Sequence, residues 1–163
     1  MKTIVAISST GQRGKTSSIV ELSKNIPWEE APEYYDYDGN LIDKPAGGRV
    51  LCRGKYRGKT VGLSSEGDKE EIVNSGLCLL TDNFTKDIDV IVAACLTLKS
   101  TPEAIWEVAK RHCYEVIWTS NYCGKTPNNN IPDGKNVPVL SNGTDLNDIF
   151  AENTLNLIKE LLK

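Results

Sequence analysis

The amino-acid sequence predicts an α/β domain with three layers, in which a mostly parallel sheet carries helices on both faces. Apolar stretches of strand length alternate along the chain with stretches whose apolar residues recur at helical spacing. The run at 87–95 becomes continuously apolar from Val90 onward, which is typical of a strand buried on both faces of a parallel sheet. Two strand-like runs joined by a glycine-containing connection at 53–59 predict one antiparallel hairpin strand.

Length and composition bound the possible functions. A chain of 163 residues is long enough for one well-buried core, so we expect a single domain over 1–163. No apolar run approaches the ~20 residues of a membrane span, so we expect a cytoplasmic protein without a membrane segment. A net charge of −3 argues against bulk binding to nucleic acid. Five cysteines without a Cys-x-x-Cys pair are expected to be reduced thiols.

The first strand and the first helix enclose a glycine-containing turn. The apolar run at 4–7 is followed by Gly11 and Gly14, which let successive backbone N–H groups converge on one anion. A helix beginning at Lys15 adds the positive end of its dipole. This context predicts a phosphate-binding loop in which Lys15 contacts the outer phosphates and the Thr16 hydroxyl binds Mg²⁺. The predicted cofactor-binding residues are Gly11, Gln12, Arg13, Gly14, Lys15, Thr16 and Ser17.

The segment Ser9-x-x-x-x-Gly14-Lys15-Thr16 resembles the Walker A motif of the P-loop NTPase superfamily, with Ser9 where the motif has glycine. The resemblance is specific over 4–20 and only architectural elsewhere, so it names no subfamily. It implies a P-loop NTPase-like fold, Mg²⁺, and ATP or another nucleoside triphosphate. Gly-Lys-Thr also occurs at 58–60 and 124–126, but neither copy leads into a helix.

After the helical pattern of Ile19, Leu22 and Ile26, the segment 28–48 mixes aromatic residues with carboxylates. One interpretation is a substrate loop or lid that is mobile in the free protein and meets a small-molecule acceptor or a protein partner. The other is an edge hairpin that turns at Asp38-Gly39, and strand composition favours it.

The connection at 53–59 is basic, with cations at Arg53, Lys55, Arg57 and Lys59. It could supply an anion-binding group if its tip faced the nucleotide. A solvated turn is favoured, because cations commonly protect exposed strand ends.

Acidic residues follow the next strand, at 61–73. If this strand neighbours the first one, its carboxyl end faces the ligand, and Glu66 and Asp68 become candidates for holding Mg²⁺ or orienting a nucleophile. Asp68 and Glu71 also form a capping-box-like pair, so a structural role for Asp68 is equally open. The predicted catalytic residues are Lys15, Glu66 and Asp68, and the predicted metal ligands are Thr16 and Asp68. A hydrophobic strand ending in the Walker B aspartate is absent from the sequence.

The second half of the chain continues the alternation. Lys99 is a candidate phosphate contact, Thr101 a candidate N-cap before Pro102, and 114–119 a strand whose exit at 120–122 suits base contacts. A loop at 125–135 and a short strand at 137–140 precede a final helix from Thr144 or Asp145. Its predicted apolar face is formed by Leu146, Phe150, Leu157 and Leu161.

Three functions fit this sequence. The first is an NTPase or small-molecule kinase that transfers a phosphoryl group with Mg²⁺. The second is a non-enzymatic nucleotide-binding switch or assembly module that acts through a partner at 28–48, which the missing Walker B aspartate favours. The third is a P-loop-shaped domain that no longer binds nucleotide.

Overall fold

The computed structural model is built from helices and strands. It describes residues 2–9, 15–45, 47–82, 88–97, 100–120 and 143–163. The side chains at 9, 120 and 143–147 are not described. The elements are β1 (Thr3–Ser9), α1 (Lys15–Asn25), β2 (Glu33–Tyr35), β3 (Leu41–Ile42), β4 (Leu51–Tyr56), β5 (Lys59–Ser64), α2 (Glu70–Asp82), β6 (Val90–Leu96), α3 (Thr101–His112), β7 (Glu115–Ser120) and α4 (Gly143–Leu161). The predicted α/β class is confirmed. None of the helices in the described ranges is long and apolar enough to cross a membrane.

The seven strands form one mixed sheet in the order β3-β2-β4-β5-β6-β1-β7. Strands β5, β6, β1 and β7 run parallel, whereas β4 pairs antiparallel with β5, β2 with β4, and β3 with β2. The sequence predicts a mostly parallel sheet with one antiparallel strand. The structure differs because the two short strands β2 and β3 extend the antiparallel side.

Side chains of β1 alternate between two apolar clusters, as the two-residue repeat of a strand requires. Val5 and Ile7 pack with residues of α1 and α4, whereas Ile4 and Ala6 pack with residues of α2 and α3. Strand β6 is buried at every position. The uninterrupted apolar run that predicted a strand buried on both faces is therefore explained by its central place in the sheet.

The segment 28–48 forms the antiparallel edge of the sheet. Asp36 accepts hydrogen bonds from the backbone N–H groups of Asp38 and Asn40, at 3.0 and 2.8 Å, and Gly39 adopts a φ of +92° in the turn. Arg53 donates to Glu33 at 2.6 Å and lowers the pKa of that carboxyl group. The hairpin interpretation of this segment describes the observed structure.

The ends of the helices agree with the sequence prediction to within a residue or so. The N-cap of α3 is Ser100 rather than Thr101, because the Thr101 hydroxyl instead accepts a hydrogen bond from the backbone N–H of Leu96 at 2.9 Å. Helix α4 begins at Gly143 and packs beside α1, with Phe150, Leu157 and Leu161 against the core. The predicted loop at 125–135 and strand at 137–140 lie outside the described residues.

Replacing Gly54 with alanine tests the packing of this antiparallel edge. A Cβ atom at Gly54 would lie 2.6 Å from Cε3 of Trp28, whose ring is held by a hydrogen bond from Nε1 to the Ser23 carbonyl oxygen. We expect Gly54→Ala to lower the free energy of unfolding by about 1–3 kcal/mol in urea titrations. The neighbouring exposed residue Lys55 provides the control. We expect Lys55→Ala to change the free energy of unfolding by less than about 0.5 kcal/mol. Equal stabilities of the two variants would contradict this packing.

Candidate functional site

The candidate site begins at Lys15, the first residue of α1. The side chain of Lys15 is only 4% exposed, and its Nζ lies 3.4 Å from Oδ1 of Asp68, a side chain that is 66% exposed. This is its one carboxylate contact among the described residues. Among the described residues, this buried ammonium group is therefore balanced by one largely solvated carboxylate.

Two further features increase the need for negative charge near Lys15. The N-terminus of a helix carries a partial positive charge, so a lysine is unfavourable there without an anion. The buried Cys95 lies close enough for the Lys15 charge to influence it, but burial raises the pKa of the thiol to about 12. The thiol is neutral at physiological pH and provides no counter-charge. This environment suits an anionic ligand.

Asp68 reaches Lys15 on a loop that crosses the end of β6. The sequence argument assumed that β5 neighbours β1, and this is wrong, because β6 lies between them. The loop crosses β6 at Gly67. A Cβ atom at this position would lie 2.6 Å from the backbone carbon of Ala94 and 2.7 Å from the backbone nitrogen of Cys95. The missing side chain lets the loop cross the main chain of β6 closely enough for Asp68 to reach Lys15.

Thr16 contacts the same loop. Its hydroxyl donates to the backbone carbonyl oxygen of Ser65 at 2.9 Å. Ser17, the next predicted binding residue, is exposed. The two residues with the strongest predicted roles, Lys15 and Thr16, thus both bind the loop at 65–68, which we call the acidic loop.

Glu66 lies in the acidic loop but has a different partner. Its carboxylate is 14% exposed and lies 2.7 Å from Nε of Arg49. No contact joins it to Lys15 in the described part of the chain. The structure therefore separates the two candidate acids, because Asp68 lies beside Lys15 and Glu66 beside Arg49.

The alternative capping role of Asp68 receives no support from its contacts. Helix α2 begins at Glu70, and the hydrogen bond described for the Asp68 carboxylate is the one to Lys15.

Tyr37 holds the other side of the acidic loop. Its hydroxyl accepts a hydrogen bond from the backbone N–H of Glu66 at 2.9 Å and lies 3.4 Å from Oγ of Ser64. Burial raises the pKa of Tyr37, so the hydroxyl keeps its proton at physiological pH. Ser65 is fixed as well, because its Oγ accepts from the Val50 N–H at 2.8 Å and its own N–H donates to the Val50 carbonyl oxygen at 2.9 Å.

Sequence reasoning missed Arg49 and Tyr37. A signal for Arg49 exists in hindsight: Gly47 and Gly48 have φ values of +62° and +69°, and two adjacent glycines indicate a tight turn before β4. The role of Tyr37 had no such signal, because its place among several aromatic residues is not distinctive.

The basic connection at 53–59 lies away from this site. Most of 53–59 belongs to strands, because β4 extends to Tyr56 and β5 begins at Lys59, so the turn itself is Arg57 and Gly58. The acidic loop follows the opposite end of β5. Lys59 lies 3.7 Å from Asp89, and Arg57 donates to the Lys159 carbonyl oxygen at 3.4 Å. The interpretation as a solvated turn fits this position.

Several predicted residues lie outside the described part of the chain, namely Gly11, Gln12, Arg13, Gly14, Lys99 and the base-contact candidates at 121–122. Within the described ranges, no group of three His, Cys, Asp or Glu residues could hold a metal ion. A metal here would have to be shared with ligand oxygens, as Mg²⁺ usually is at phosphates.

Comparisons with known proteins give no match to a family model, a curated protein or a solved structure. The functional argument therefore depends on the residues and geometry of this chain.

The buried charge of Lys15 leads to a stability prediction for the free protein. We expect Lys15→Met to raise the free energy of unfolding by about 1 kcal/mol in low-salt buffer, because it removes a poorly compensated cation from a helix N-terminus. Phosphate or sulfate should stabilise the wild type and have a smaller effect on the variant. Lys24→Met is the matched control, since Lys24 is exposed in the last turn of the same helix and lies 2.9 Å from Glu21. Destabilisation by Lys15→Met would show that the charge is already well balanced.

Proposed function

We propose that this protein binds a nucleoside triphosphate, ATP being our first choice, together with Mg²⁺ at the N-terminus of α1. The proposal includes a three-layer, P-loop-like arrangement of the sheet and helices, and phosphoryl transfer or hydrolysis at the bound nucleotide. Its main support is the buried ammonium group of Lys15, whose one carboxylate contact in the described part of the chain is with the exposed Asp68 at 3.4 Å. A triphosphate would supply the negative charge that this position lacks.

The proposed roles follow from the contacts. Lys15 would bind the outer phosphates, and the loop at 11–14 would direct its backbone N–H groups at them. The Thr16 hydroxyl would bind Mg²⁺ in place of the Ser65 carbonyl oxygen that it now contacts. Asp68 would hold a water molecule or the metal from the opposite side. Bound Mg²⁺ would stabilise the charge on the transferring phosphoryl group.

A non-enzymatic switch is the second candidate, and one observation favours it. The carbonyl oxygen of Ser65 in the acidic loop accepts a hydrogen bond from Thr16. The N–H of Glu66 in the same loop donates to Tyr37 of the edge hairpin. A ligand that displaced this loop would change the support of a surface segment that a partner could bind. Phosphate release, measured with and without acceptor molecules, separates an enzyme from a switch.

The proposal places the protein in the cytoplasm. The cysteines in the described ranges, Cys52, Cys78, Cys95 and Cys113, are free thiols, which is the usual state in a reducing compartment.

Lys15→Ala tests nucleotide binding directly. Loss of one charge-assisted contact to phosphate should weaken binding of Mg-ATP by roughly 1.5–3 kcal/mol, or about 10- to 150-fold, in an equilibrium titration. Lys24→Ala should bind like the wild type. Equal titration curves for wild type and Lys15→Ala would reject the phosphate role, and no binding by the wild type would favour a domain that has lost this function.

A second pair of variants tests which acid serves the metal. We expect Asp68→Asn to weaken Mg²⁺-dependent binding by about tenfold without weakening the binding of metal-free nucleotide, because it removes a negative charge beside Lys15. Glu66→Gln is the matched control, because its carboxylate lies beside Arg49. Each variant is titrated with nucleotide at several Mg²⁺ concentrations. The assignment is wrong if Glu66→Gln has the larger effect on the Mg²⁺ dependence.

A further inference from the structure

Tyr37 is anchored on three sides at the end of the sheet that carries the site. Its backbone carbonyl oxygen accepts a hydrogen bond from Oγ of Ser75 at 3.1 Å. A Cβ atom built at Gly76 would lie 3.0 Å from Cε1 of its ring, so the ring packs directly against α2. Its hydroxyl has three contacts, since it also donates to the Val50 carbonyl oxygen at 3.4 Å besides the contacts with Glu66 and Ser64 described above. A side chain held in this way presents its hydroxyl at a fixed point.

The acidic loop is held at Ser65 by Val50, and two further fixed points directly precede Asp68. The N–H of Glu66 is held by Tyr37, and Gly67 packs against the main chain of β6 at the distances given above. These two constraints act on the two residues immediately before Asp68. They therefore fix the backbone from which the Asp68 side chain extends toward Lys15.

We propose that Tyr37 is a positioning residue, whose hydroxyl holds the acidic loop so that Asp68 lies where it can serve a Mg²⁺ ion bound with nucleotide beside Lys15. This inference rests on the proposed function. In this proposal the segment 28–48 supports the site, because Tyr37 connects the edge hairpin to the acidic loop.

Tyr37→Phe removes the hydroxyl and keeps the ring, so it tests this role with little change in packing. The first measurement is hydrogen exchange in the free protein. We expect the amide of Glu66 to exchange about tenfold faster, because it loses its hydrogen-bond acceptor, while core amides such as that of Val92 are unchanged. Tyr35→Phe is the matched control two residues away, at the end of β2, because the Tyr35 hydroxyl donates to Glu33 at 2.8 Å, away from the loop.

The second measurement is the Mg²⁺ dependence of nucleotide binding. Tyr37→Phe should raise the Mg²⁺ concentration at half-maximal effect by about three- to tenfold and leave metal-free binding unchanged, since it acts through a metal-binding group. The same substitution should add little to Asp68→Asn, because the two residues would act on one contact. A purely structural role for Tyr37 would lower stability without this pattern.

The outcomes separate the two proposals. Unchanged exchange at Glu66, an unchanged Mg²⁺ dependence, or a Tyr37→Phe effect that persists in full on Asp68→Asn would each overturn the positioning role. If the wild type binds no Mg-nucleotide, the proposed function and the metal role of Tyr37 both fall, and the exchange result decides alone whether the hydroxyl fixes the loop.

Discussion

The burial of one positive charge at the start of α1 is the constraint on which the site depends. A lysine at this position adds to the positive end of the helix dipole, and the neighbouring thiol of Cys95 is neutral. The Asp68 carboxylate is the described group that offsets the charge, from 3.4 Å and largely in solvent. A protein selected only for stability gains little from such an arrangement. An incoming anion would offset this buried charge, and this is the physical basis of the nucleotide proposal.

The acidic loop joins two parts of the sheet that have different characters. On one side it contacts α1 through Thr16, next to the parallel strands. On the other side it is held through Val50 and Tyr37 by the antiparallel strands and their edge hairpin. The antiparallel extension therefore supports the site as well as completing the sheet. A segment rich in carboxylates is therefore compatible with the proposed phosphate site, since its contribution to the loop is a neutral phenol.

The sequence predicted those features that depend on local pattern. The strand β1 and the helix that begins at Lys15, the buried run at β6 and the hairpin of β4 and β5 each follow from residues close together in the chain. Strand order did not follow, because nothing local encodes that β6 lies between β1 and β5. The edge hairpin at 28–48 was an expected alternative, but its place beside β4 did not follow from the sequence, for a similar reason. The choice between Glu66 and Asp68 required the contacts of the folded chain, where two residues in one loop have different cationic partners.

Asp68 lies on a loop between β5 and α2, so it is held differently from an acid at the end of a strand. A carboxylate at a strand end is fixed by the hydrogen bonds of the sheet, whereas Asp68 depends on the contacts made by Glu66 and Gly67. In the free protein, Lys15 and Thr16 both bind this loop, so a triphosphate and its metal would bind to groups that already contact it. The Tyr37 hydroxyl and the close packing of Gly67 do not involve those two groups. They would keep the loop backbone in place while its contacts with α1 change, so Asp68 could pass from Lys15 to the metal without a large movement of the chain.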